Sequence, residues 1–184
     1  MLYLDEAHGT GLYGRRGLGV AEREDLLDQV DILIGTFGKA LASIGAYVIC
    51  PEVIKKYLLN KSRSLIFTTA LPPVVGAWNL FAFREMMGMY SRRERLQMLS
   101  EKLRKSFIEN GLETRGDTNI IPVIIGEDQR TEHIASQLQQ DGFLLLPIRP
   151  PTVPEGTSRL RFSLTANMNW EQLQPVTDVV VSRM

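Results

Sequence analysis

The chain has 184 residues, 44% of them apolar and 23% charged, with 21 basic residues against 21 acidic for a formal net charge of zero. That is enough chain for a real hydrophobic core, in the composition range of ordinary soluble proteins. The balanced charge gives no electrostatic reason to expect nucleic acid or an anionic membrane as partner, and no run approaches the ~18 apolar residues of a membrane span.

Cys50 is the single cysteine, so no internal disulfide is possible. Behind Ala46-Tyr47-Val48-Ile49 it reads as a buried, inert thiol rather than a nucleophile. The first residues lack the basic start and apolar core of a signal peptide. A reducing cytoplasm fits both observations. No metal site is expected.

Residues 1–4 read as a strand, with an acidic motif directly after it. A domain that opens on its site is expected to be the C-terminal portion of something longer. Residues 6–21 hold Gly9, Gly11, Gly14, Gly17 and Gly19, a loop needing unusual backbone angles or close approach, with Arg15 and Arg16 at its tip. Residues 22–29 follow as a short helix. Residues 31–35 and 45–50 are two buried-type strands. Pro51 opens a helix to about residue 60.

Residues 65–69 read as a short strand or extended segment, and Pro72-Pro73 then lets a helix start. From residue 74 to 89 the chain is mostly apolar, with Val75, Trp78, Leu80, Phe81, Phe83, Met86 and Met87, and predicts a buried helix. A second long helix is predicted over 91–110, because Leu96, Leu99, Leu103 and Phe107 recur three or four apart. Its clusters Arg92, Arg93, Arg95 and Lys102, Arg104, Lys105, interrupted by Glu94 and Glu101, read as a solvated face. Gly111 is its stop.

Beyond it, residues 120–125 form a strand that Pro122 marks as an edge or a start. Residues 132–141 form a helix ended by Gly142, and residues 143–148 a strand. Residues 159–164 alternate as a half-buried strand does, and residues 169–183 close the chain as a helix. From about residue 117 the order β-α-β-β-α predicts a small α+β subdomain.

Two stretches carry chemistry. The first is Leu4-Asp5-Glu6-Ala7-His8-Gly9-Thr10-Gly11, and the second Thr36-Phe37-Gly38-Lys39-Ala40. Each follows a short apolar strand, at the end where open α/β sheets place ligand chemistry. Asp5-Glu6-Ala7-His8 also matches the magnesium motif of helicase-type ATPases. That reading needs a phosphate loop ending in Gly-Lys-Ser/Thr, which this chain lacks. The bland alternative is a polar strand end with a satisfied histidine and a surface lysine.

Read together, an acid, an imidazole and a lone lysine point to pyridoxal phosphate (PLP). The acid would keep the pyridine nitrogen protonated and the lysine would form the Schiff base. Gly35, Gly38, Ala40, Ala42 and Gly45 around Lys39 would let it lie along a flat ring, and burial would lower its pKa toward what imine formation needs. Thr36 is placed to bond a phosphate.

These two motifs, with Phe67-Thr68-Thr69-Ala70-Leu71-Pro72-Pro73 and the tail Ile148-Arg149-Pro150-Pro151-Thr152 to Arg159-Leu160-Arg161, resemble the α-oxoamine synthases. These are PLP enzymes of the aspartate-aminotransferase fold (fold type I) that condense an amino acid with an acyl-CoA and release carbon dioxide. The resemblance covers essentially all of the chain. It implies an α/β fold, the C-terminal half of such an enzyme: the distal part of the large, mostly parallel-sheet PLP-binding domain over residues 1–95, and a small C-terminal α+β domain over 96–184.

By the same resemblance, Asp5 pairs with the pyridine nitrogen and His8 with the ring hydroxyl. Lys39 is the Schiff-base residue and the base for the α-proton, and Thr36 binds phosphate. Thr68 and Thr69 reach the phosphate of a partner subunit's cofactor, which implies a homodimer. Arg161 grips the amino acid carboxylate, for which a planar bidentate donor is suited, and Arg149 and Thr152 lie on a proline-rich loop over the substrate. Within the family the tail is most similar to the branch that joins L-alanine to a pimeloyl thioester, on CoA or acyl-carrier protein, in biotin synthesis. Other branches make 5-aminolevulinate, 2-amino-3-ketobutyrate or 3-ketosphinganine. Two features depart from the family: its first half is absent here, with the groups that stack on the cofactor and part of the acyl-CoA site, and Ala42 stands where many relatives carry glycine. A non-catalytic fragment is the alternative from a different class.

Overall fold

The computed structural model describes residues 1–184, which form two compact units, Met1–Arg93 and Glu94–Met184. The first is built on a three-stranded sheet in the order β1-β2-β3. Strand β1 (Tyr3–Asp5) pairs in parallel with β2 (Ile32–Thr36), Tyr3 opposite Ile32 and Asp5 opposite Ile34. Strand β3 (Ala46–Ile49) returns antiparallel, Ile34 opposite Val48 and Gly35 opposite Tyr47. A parallel pair needs a crossover, and the glycine-rich segment with the short helix α1 (Val20–Arg23) supplies it. Helices α2 (Glu52–Lys61), α3 (Arg63–Ile66) and α4 (Pro73–Met87) follow.

Three expectations for this unit are corrected. The helix over 22–29 is broken: α1 ends at Arg23, Asp25 takes a φ of 56°, and only a 3-10 turn at Leu27–Gln29 follows. The strand over 65–69 does not form. Ser62 and Arg63 carbonyls accept from Ile66 and Phe67 N–H, so the segment starts as the helical turn α3 and no sheet edge lies beside it. The apolar helix over 74–89 exists as α4, yet among its residues only Asn79 and Met86 are buried, while Val74, Trp78, Leu80 and Phe81 are exposed. Nothing in this unit covers that face. Strand β3 is likewise more exposed than a buried strand, and Cys50 is half-buried.

Helix α5 (Tyr90–Glu109) begins at the end of the first unit and runs through the start of the second. Its Leu96, Leu99, Leu103 and Phe107 are buried as their spacing predicts, the last two completely. Gly111 closes it at a φ of 75°, which glycine reaches without a Cβ clash. The second unit then lays down β4 (Ile120–Gly126), α6 (Asp128–Gln140), β5 (Pro147–Ile148), β6 (Ser158–Ser163) and α7 (Trp170–Arg183).

Its antiparallel sheet has the order β4-β6-β5, which puts Pro122 on an edge strand. Alternate residues Ser158, Leu160 and Phe162 of β6 are buried, and Phe162 meets Phe107 at 5.0 Å between ring centroids. The strand predicted over 143–148 shrinks to Pro147–Ile148, because the Gln139 side chain takes the Leu145 carbonyl that a ladder would need. Asn169 caps α7 through a reciprocal pair with Gln172. No helix is long and apolar enough to cross a membrane.

Candidate active site

Because β1 and β2 run parallel, their C-terminal ends emerge side by side: Asp5 closes β1 and Thr36 closes β2. The Asp5 carboxylate accepts the Ala7 N–H on Oδ1 at 2.8 Å, which fixes its direction. Asp5 and His8 are both exposed at this edge.

Lys39 stands on the turn between β2 and β3. Phe37 N–H donates to the Gly45 carbonyl at 3.0 Å, Ser43 N–H to Phe37 at 2.8 Å and Ala42 N–H to Lys39 at 3.1 Å, so the turn is closed on itself. The Lys39 ammonium makes no ion pair and is exposed, which corrects the expectation that it is buried. Thr36 braces the same turn: its hydroxyl donates to the Gly45 carbonyl at 3.1 Å and accepts the Gly38 N–H at 3.1 Å.

Four residues that the sequence reading did not single out hold this edge together. Glu6 is 1% exposed, and its Oε1 accepts the Ala21 N–H at 2.7 Å. A Cβ on Gly19 would lie 2.4 Å from its carboxyl carbon, so the loop closes tightly around this carboxylate. Glu22 accepts from Arg16 Nε, Arg16 N–H and Leu18 N–H at 2.9–3.2 Å. Burial pushes its carboxyl up, and these hydrogen bonds outweigh it, so its pKa ends lower than normal.

Arg93, expected on a solvated face, is instead 7% exposed. It donates to the Met86 carbonyl at 2.8 Å and the Arg15 carbonyl at 2.5 Å, tying the loop tip to the end of α4. Burial holds its pKa down. Tyr47 reaches from β3 to the Thr10 hydroxyl at 3.0 Å. The Glu6–Ala21, Arg93–Arg15 and Tyr47–Thr10 contacts leave no local signal, because each joins residues brought near only by the fold.

The remaining predicted residues lie elsewhere. Thr68 and Thr69 are exposed in the segment after α3. In the second unit, Arg161 stands exposed on β6 opposite Pro122. Arg149 pairs with Glu132 at 2.5 Å, and the Thr152 N–H donates to the Arg149 carbonyl at 3.0 Å. No group of three or more His, Cys, Asp or Glu is placed to hold a metal ion.

Comparison with known proteins gives this geometry a lineage. An 8-amino-7-oxononanoate synthase of Chlorobaculum parvum is 47% identical over 182 residues, which are 99% of this chain and 46% of that protein. A serine palmitoyltransferase from S. paucimobilis, solved with bound PLP–myriocin aldimine, superposes with a TM-score of 0.91 at 29% identity over 100% of this chain and 47% of its own. An 8-amino-7-oxononanoate synthase from Francisella tularensis superposes with a TM-score of 0.86 at 26% identity, over 98% of this chain and 54% of its own. The chain thus spans about half the length of the curated relatives it matches. The expected α/β fold is found, as part of the fold these enzymes share. The aminotransferase class I and II pattern runs through residues 1–180, and this chain belongs to that family.

Proposed function

We propose that this chain is the distal part of a PLP-dependent acyltransferase of the 8-amino-7-oxononanoate synthase kind, condensing L-alanine with a pimeloyl thioester on CoA or acyl-carrier protein, with loss of carbon dioxide, in the cytoplasm. Residues 1–95 are read as the end of the PLP-binding domain and 96–184 as the small C-terminal domain. The observation that carries the reading is the parallel pairing of β1 with β2. It brings the Asp5 carboxylate and the turn that carries the Lys39 ammonium to the same end of the sheet.

That donor set fits the ring end of PLP. Asp5 would hold the proton on the pyridine nitrogen, and His8, three residues on, would meet the ring oxygen. Lys39 Nζ would be the amine that holds the group and the base for the amino acid's α-proton. When bound, PLP supplies an electron sink for charge that develops on the α-carbon. Thr36 is proposed to serve the phosphate, and to do so its hydroxyl must release the Gly45 carbonyl. Thr68 and Thr69 are proposed to serve the phosphate of a second copy. Arg161 is proposed to hold the amino acid carboxylate, with Arg149 and Thr152 on the substrate loop.

The closer superposition on serine palmitoyltransferase supports a second reading, a serine- or glycine-using synthase of the same reaction type. The higher sequence identity favours the alanine-using enzyme. The test is an absorbance scan with added PLP before and after borohydride, with Lys39→Ala as control. A band that borohydride traps on Lys39 and that Lys39→Ala abolishes is expected. Parallel assays with L-alanine plus pimeloyl thioester and L-serine plus palmitoyl thioester then choose between the readings. No trapped label in protein that is folded by circular dichroism overturns the proposal for this chain.

A further inference from the structure

We propose that Tyr47 is a positioning residue: its bond to Thr10 ties the turn that carries Lys39 to the strand end that carries Asp5 and His8. What is being positioned rests on the function proposed above; the tie itself rests on geometry alone.

Tyr47 sits on β3 directly opposite Gly35 of β2. An ordinary side chain at position 35 would stop the ring there, since a Cβ would fall 2.1 Å from the Tyr47 ring carbon that bears the hydroxyl. With glycine in place, the ring passes over β2 and the phenol reaches the loop beyond β1, where its oxygen lies 3.0 Å from Thr10 Oγ1. Thr10 is a firm anchor. It is 3% exposed, its N–H donates to the Glu6 carbonyl at 2.8 Å, and the Glu6 N–H donates in turn to Ile34 of β2 at 2.7 Å.

The other end of the tie is equally fixed. The Tyr47 ring lies 5.2 Å from Phe37, the residue that opens the Lys39 turn, and 6.2 Å edge-on from Phe83 of α4. The two loops also touch beside the lysine, where a Cβ on Gly11 would come within 2.6 Å of the Ala40 Cβ. Burial pushes the phenol's pKa up, so the hydroxyl keeps its proton for this bond through neutral pH. The lysine turn therefore has two supports: Thr36 closes it internally, and Tyr47 sets where it stands relative to the acid.

Tyr47→Phe keeps the ring over Gly35 and removes only the oxygen. Thr10→Val removes the other partner, and Thr10→Ser keeps the hydroxyl. Two readouts apply: peptide-level hydrogen exchange of the free chain, and mass-mapped borohydride labelling of Lys39 at subsaturating PLP. In Tyr47→Phe and in Thr10→Val, exchange over 6–13 and 36–45 is expected to rise and Lys39 labelling to fall about five- to tenfold, on the order of one part-buried hydrogen bond. The double variant is expected to be no worse than either single, and Thr10→Ser to match the wild type, with exchange in β4 and β6 unmoved throughout. Unchanged exchange in Tyr47→Phe, or effects of the two substitutions that multiply, overturns the tie. A lowered urea midpoint with full Lys39 labelling in folded protein overturns the positioning role and leaves only packing. If wild-type Lys39 takes no label at all, the PLP reading fails, while exchange still decides the tie.

Discussion

Gly35→Ala should be among the costliest single-atom additions to the first unit. The new methyl would sit 2.1–2.7 Å from three atoms of the Tyr47 side chain, far inside contact distance. Only a side chain is in the way, so the cost is that of moving the ring. The ring is held by Phe37 and Phe83 and by the Thr10 hydroxyl. Displacing it forfeits a hydrogen bond worth about 1 kcal/mol and adds about 1–3 kcal/mol of overpacking, for a total of roughly 2–4 kcal/mol. Urea unfolding followed by Trp78 fluorescence, in a Trp170→Phe background so that only α4 reports, measures it. A loss below about 1 kcal/mol would refute the geometry. The second arm repeats the change in Tyr47→Ala, where the obstruction is gone. There Gly35→Ala should be neutral or slightly stabilising, since alanine in a strand loses less backbone entropy than glycine. A cost that persists in that background would place the clash in the backbone instead.

Three further outcomes are expected. Phe107→Ala, at a site with no exposure and in ring contact with Phe162, should destabilise the second unit by about 3–5 kcal/mol, read by urea unfolding with Trp170 as probe. Gly76→Ala has the opposite sign: the glycine lies inside α4 with open space where the methyl would go, so unfolding of the first unit should shift up by about 1 kcal/mol. Glu22 has a folded-state pKa below its ordinary 4.5, so its contribution is present above that value and is lost as pH falls through the lower folded value. Protection of the loop over 14–19, followed by hydrogen exchange from neutral pH down to about pH 3, should therefore decline on the acid side, and Glu22→Gln should flatten that decline. Identical pH profiles for wild type and variant would remove Glu22 from the loop's support.

What could be read beforehand divides along a physical line. The buried face of α5 was legible because Leu96, Leu99, Leu103 and Phe107 form a complete pattern within one helix. The turn glycines Gly111 and Gly142 were legible because positive φ is a local demand. The apolar run of α4 correctly gave a helix and wrongly gave burial, since apolar content says nothing about which surface arrives to cover it. Residues 65–69 have the β-branched and aromatic content of a strand, yet a strand exists only beside another, and local carbonyls satisfied the segment first. At the candidate site, Asp5, His8, Thr36 and Lys39 were visible as motif letters. Glu6 and Thr10 stood in the same motif without a role, and Tyr47 and Arg93 lay outside it, because a buried carboxylate or a phenol crossing a glycine is defined by what lies across the fold. Arg93 shows this most clearly: its neighbours in sequence are solvated charges, and its partners are the carbonyls of Arg15 and Met86.

The exposed ring pair on α4, Trp78 against Phe81 at 5.5 Å, also governs how this chain behaves as a colloid. With Val74 exposed on the same helix and Tyr57 and Phe67 exposed on the segments before it, it gives the first unit a sticky surface. A formal net charge of zero removes the repulsion that would hold copies apart in neutral buffer. Turbidity should therefore rise with concentration most steeply near neutrality and fall when acidic residues are appended.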